Sequence, residues 1–140
     1  MRRAAAVFAF AFLVAGCGGR GTALPTGKLV GKPPQSAKPK LIKLPKGTAA
    51  KGKPLFGANG CGGCHTYGPA GSNGKIGPDL DKLASYAQDA NRGSLEQFTA
   101  ESIVDPSAYL QPGYGDLMPH QYKSLPKKQL ADLVAFLTKR

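Results

Sequence analysis

With 140 residues and no tryptophan, the chain has room for one small domain plus whatever precedes it. A folded part of under about ninety residues buries a modest core and leans on a disulfide, a metal or a cofactor. The net charge of +11 comes from Arg2, Arg3 and nine Lys and Arg in Gly18–Pro54, while all eight acids lie beyond Leu55 and leave the last segment formally neutral. A basic tail on a neutral domain argues for membrane or partner electrostatics, and no basic helix is patterned to enter a groove, so no nucleic-acid partner is expected.

Met1–Arg3 supply a charged start and Ala4–Val14 an apolar run of eleven. That run is too short to cross a bilayer's hydrocarbon core but has the length of a signal-peptide apolar region. Arg2 and Arg3 read as ordinary charge ahead of it. Leu13-Val14-Ala15-Gly16-Cys17 resembles the lipobox of bacterial lipoproteins, with Val14 where that family most often has Leu. The resemblance implies a lipoprotein signal peptide over residues 1–16, cut before Cys17, and Cys17 as the lipidation site. Of the three cysteines the other two form a pair, and acylation accounts for the odd one. The mature chain is therefore expected to be exported and membrane-anchored by its N-terminal lipid, facing the periplasm or the cell exterior.

Residues 17–47 read as a lipid-anchored, disordered, basic Pro/Gly linker. Pro25, Pro33, Pro34, Pro39 and Pro45 break any period, and acids and aromatics are missing. Leu41, Ile42 and Leu44 form its one apolar patch. The cations serve either as a second membrane signal beside the lipid or as a solubilising tether.

Cys61-Gly62-Gly63-Cys64-His65 is a C-x-x-C-H motif, the attachment signature of c-type haem. Two thiols add across the porphyrin vinyls, and the adjacent His ligates the iron. Gly62 and Gly63 put no side chain between the thioethers. A thioredoxin-like pair would need a strand leading into Cys61, and none is patterned there. A zinc site would need a second ligand pair, and only His120 remains. A plain disulfide would leave His65 without a role.

Around this motif, residues 48–140 resemble the class I cytochrome c family. Gly52 and Phe56 fall at the spacing of its N-terminal helix, and Gly77-Pro78-Asp79-Leu80 matches its G-P-x-L segment. Met118-Pro119 matches its distal ligand, and residues 132–137 match its C-terminal helix. The resemblance implies an all-α fold of three to four helices around one covalent haem c, with Cys61, Cys64, His65, Pro78 and Met118 as cofactor-binding residues. Iron would be held by His65 and Met118, with the Pro78 carbonyl accepting from His65 Nδ1. Pro54 departs from the pattern, so the first helix is expected to kink there or to begin near Lys53.

Leu130, Leu133, Val134 and Leu137 fall at i, i+3, i+4 and i+7, which predicts an amphipathic last helix with Pro126 at its first turn. Ser94-Leu95-Glu96-Gln97 reads as a capping box opening a helix that stops near Val104, before Asp105-Pro106. Ala84–Gly93 is polar without a clear period. Tyr86, Tyr109, Tyr114, Tyr122 and Arg92 are candidate partners for a haem propionate. Asp79, Asp81 and Asp116 read as turn and helix-start residues. Lys123, Lys127 and Lys128 form either a docking rim or a solvated helix start.

An iron with one nitrogen and one thioether ligand has no open position for substrate, which implies a single-electron carrier and not an enzyme. The resemblance implies redox partners such as a quinol-oxidising complex or a terminal oxidase, met by a monomer. After signal removal Met118 is the sole methionine, and His120 the sole competing imidazole. The alternatives are a haem domain with an open sixth site, acting as sensor or enzyme, and a fixed haem subunit of a larger oxidoreductase.

Overall fold

The computed structural model describes residues 38–139. The expected signal peptide, Cys17 and the linker as far as residue 37 lie outside the described residues. Four helices carry the fold: α1 (Ala49–Ala58), α2 (Leu83–Ala90), α3 (Leu95–Val104) and α4 (Lys127–Thr138). Short 3₁₀ turns join them. A two-residue antiparallel pair, β1 (Thr66–Tyr67) and β2 (Ser72–Asn73), matches Thr66 with Asn73 and Tyr67 with Ser72. The all-α expectation holds.

α1 crosses α4 at close range because Gly52 has no side chain. A Cβ there would overlap the Asp132 carbonyl and press on Phe136 Cβ at 2.5 Å. Phe56, Tyr67 and Phe136 fill the angle beside the crossing, with ring centroids 5.3 to 5.9 Å apart. Tyr67 is fully buried, and its hydroxyl donates to Phe136 O at 2.8 Å, so its polar end is satisfied. The first helix begins at Ala49, not near Lys53, and runs through Pro54. Proline deprives the Ala50 carbonyl of its helical partner, but both residues are exposed, so that carbonyl is open to water.

α4 is not amphipathic as its period predicts. Leu130–Leu137 are all buried, because the helix meets α1 on one side and α3 on another. Even Asp132 is inside, where it accepts from Lys128 Nζ and from Thr48 N–H (2.7 Å). Those donors, led by Lys128 and resisted by burial, hold its carboxyl below the usual range. α2 occupies the stretch that shows no clear period. Its buried face is Leu83 and Ala87, and Asn91 closes it in the left-handed region (φ 48°).

Residues 40–47, expected to belong to the disordered linker, are bound across α3 and α4 as a strap. Lys40 N–H donates to Glu101 Oε1 (2.7 Å), and Ile42 exchanges both backbone groups with the Gln97 amide (3.0 and 3.1 Å). Ile42 and Leu44 pack on Ala100, Leu130 and Val134. The capping box is therefore half made. Ser94 Oγ accepts from Gln97 N–H (3.3 Å), but the Gln97 side chain serves the strap instead of closing back on Ser94. Beneath the strap a buried bidentate pair joins Arg92 to Glu101 (2.8 and 2.9 Å). Burial pushes the Glu101 carboxyl up, but hydrogen bonds from Arg92 and Lys40 outweigh it and hold the group below its ordinary value.

Candidate functional site

The C-x-x-C-H residues sit where α1 ends. Gly60, in the left-handed region (φ 70°), reverses the chain into a 3₁₀ turn over Cys61–Gly63, and His65 N–H returns to Cys61 O (3.1 Å). Both thiols and the His65 ring line one cavity of about 300 Å³. Cys61 and Cys64 are not joined to each other. Burial pushes the Cys61 thiol up, the reverse of what a redox-active or nucleophilic thiolate requires. The motif follows a helix and not a strand, so the thioredoxin-like geometry is absent.

His65 is fixed from behind. Its Nδ1 lies 2.7 Å from Pro78 O, and since a carbonyl only accepts, Nδ1 carries the proton and Nε2 keeps its lone pair for a metal. The segment bearing Pro78 is held by Gly77 N–H to Cys64 O (2.8 Å). Gly77 packs flat on the imidazole, and a Cβ there would come 2.5 Å from His65 Cε1. Gly62 has a local reason as well: a Cβ would meet Ser72 Cβ at 2.9 Å, whereas one at Gly63 would meet nothing within 4 Å. Gly62 is thus required by close packing on β2, apart from its place between the two cysteines.

The rest of the wall is mostly apolar. Phe56, Leu83, Phe98, Ile103, Leu133 and Leu137 bring α1, α2, α3 and α4 to it, and Met118 completes it between Leu117 and Pro119. His120 lies outside, its Nε2 3.3 Å from Ser107 Oγ. Tyr86, Tyr109, Tyr114 and Tyr122 all line the cavity, but Arg92 does not, being engaged by Glu101 beneath the strap. The Tyr122 hydroxyl is committed to Asn59 O (2.9 Å). Burial pushes the Tyr86 and Tyr109 hydroxyls up, so both are protonated donors at neutral pH. Asp79 Oδ1 caps Asp81 N–H (3.0 Å), the helix-start role expected of it, whereas the Asp81 carboxylate reaches across to accept from Gly68 N–H and ties two turns together.

Sequence reasoning missed Gln111. It also lines the cavity, and its Oε1 is buried without a partner among the described residues. An unsatisfied buried amide costs about 1–3 kcal/mol unless a group in the cavity meets it. A haem fits this wall: thiols for the vinyls, a free Nε2 for iron, a dry lining for the ring, and Tyr hydroxyls as donors to its carboxylates.

Four helices on an apolar cavity floored by a C-x-x-C-H turn define a small c-type haem protein. The cytochrome c family model matches residues 49–140, and the chain belongs to the cytochrome c family. Members bind covalent haem c with its iron, here through Cys61 and Cys64, and carry electrons. No curated protein matches the chain.

Proposed function

We propose that the protein is a single-electron carrier in which His65 and Met118 ligate the haem iron, held at a membrane by a lipid on Cys17. The supporting observation is that Met118 lines the same cavity as Cys61, Cys64 and His65, while His120, its only rival, is turned out to Ser107. Bound haem supplies reversible one-electron chemistry between Fe(III) and Fe(II). The chain does the rest. Pro78 orients the His65 imidazole and fixes its tautomer. The Met118 thioether, a soft ligand, favours the reduced metal and raises the potential. The apolar wall keeps water out, and two protein ligands leave no position for a substrate. An N-terminal lipid confines such a carrier near membrane partners, such as a quinol-oxidising complex and a terminal oxidase, and raises its effective concentration at both. A potentiometric titration of the holoprotein tests this reading. It should give a single one-electron transition, and the ferrous form should not bind carbon monoxide. Ready carbon monoxide binding would favour a sensor or an enzyme.

A further inference from the structure

The segment that presents Met118 is exposed on its approach and is anchored after it by the turn His120–Ser124, where Tyr122 is buried. Gly113 stands at φ 91°, Gly115 follows, and Leu117 is 71% exposed. Among the described residues one side chain from elsewhere hydrogen-bonds to segment 116–120, and that is Ser107. Its Oγ lies 2.6 Å from Asp116 Oδ2 and 3.3 Å from His120 Nε2. A hydroxyl has one proton, and the carboxylate can only accept, so that proton goes to Asp116. His120 must then donate through Nε2–H to the hydroxyl lone pair. Ser107 thus grips the chain two residues before Met118 and two residues after it.

The post itself is firm. Ser107 sits in the 3₁₀ turn Pro106–Ala108 that follows α3, flanked by two buried residues. Pro106 removes one backbone freedom, and Ala108 N–H is tied to Asp105 O (3.0 Å). Ser107 therefore adds a side-chain tie between the Met118 segment and the end of α3, beside the packing of the His120–Ser124 turn on that helix.

We propose that Ser107 is a positioning residue that clips both flanks of the Met118 segment and so sets how readily the sixth iron position opens to an outside ligand. This rests on Met118 being the sixth ligand. An external ligand must first lift the Met segment away, and the two bonds to Ser107 resist that displacement. A hydrogen bond of this kind is worth about 1.4 kcal/mol, a factor of about ten in an equilibrium constant.

The test is imidazole titration of the ferric holoprotein, read by loss of the weak red-region sulfur-to-iron band. Ser107→Ala should bind imidazole about tenfold more tightly than wild type, while Ser107→Thr, which keeps the hydroxyl, should return to within about twofold. Ser124→Ala, which removes an exposed hydroxyl bonded only to Gln121 O (2.8 Å), should match wild type. Equal imidazole affinity in Ser107→Ala and wild type, with the band present in both, overturns the clip and leaves Met118 ligation standing. A wild-type protein without the band overturns the ligation reading and the clip with it.

Discussion

A few side chains hold this domain by satisfying several groups at once, and Glu101 is the clearest. Its carboxylate takes two hydrogen bonds from buried Arg92 and one from Lys40 N–H, so it joins α3, the turn after α2 and the strap. Glu101→Gln leaves the Arg92 charge buried without its partner, which should cost about 3 kcal/mol, or about 10–20 °C in Tm. The pH dependence follows from the direction of the shift. A depressed carboxyl contributes stability above its unfolded value, near about 4.3 for Glu, and loses it as pH falls through the folded value. Thermal unfolding across pH should therefore show the gap between wild type and Glu101→Gln narrowing below about pH 4. Asp132, held down by Lys128 and Thr48, adds a loss of the same sign in wild type and variant alike.

Among the elements, α1 shows why one glycine is required and another is incidental. Gly52 meets the backbone of α4, whereas a Cβ on Gly57, also in α1 and exposed, would meet nothing within 4 Å. Gly52→Ala should destabilise by about 3 kcal/mol through forced separation of the helices. Gly57→Ala should stabilise by about 0.5–1 kcal/mol through helix propensity, and denaturant unfolding of both holoproteins checks the pair. Legibility divides along the same line. The haem turn, α3 and α4 are readable because ligand spacing, Ser94 and the leucine period are local signals. α2 is hidden because its inward face is Leu83 and Ala87 in polar surroundings, too small an apolar contrast to register. The strap is hidden because Ile42 and Leu44 acquire meaning only against Ala100 and Val134, far along the chain. Gln111 and Ser107 carry no local signal at all; their roles arise from what the fold puts beside them.

At the scale of the whole molecule, one cavity gathers the wall of all four helices, and the strap ties residues 40–47 to the domain that holds it. The proposed lipid on Cys17 predicts that Cys17→Ser moves the protein from membrane to soluble fractions. Retention in low salt with release in high salt would assign part of the attachment to the basic stretch, because such attraction is screened. The central claim is that Met118, and not His120, completes the iron's coordination and closes it to substrate. The direct measurement is the red-region absorption of the ferric holoprotein. The sulfur-to-iron band should be present in wild type and in His120→Ala and lost in Met118→Ala. A wild-type spectrum without that band, or a Met118→Ala spectrum that retains it, would contradict the account.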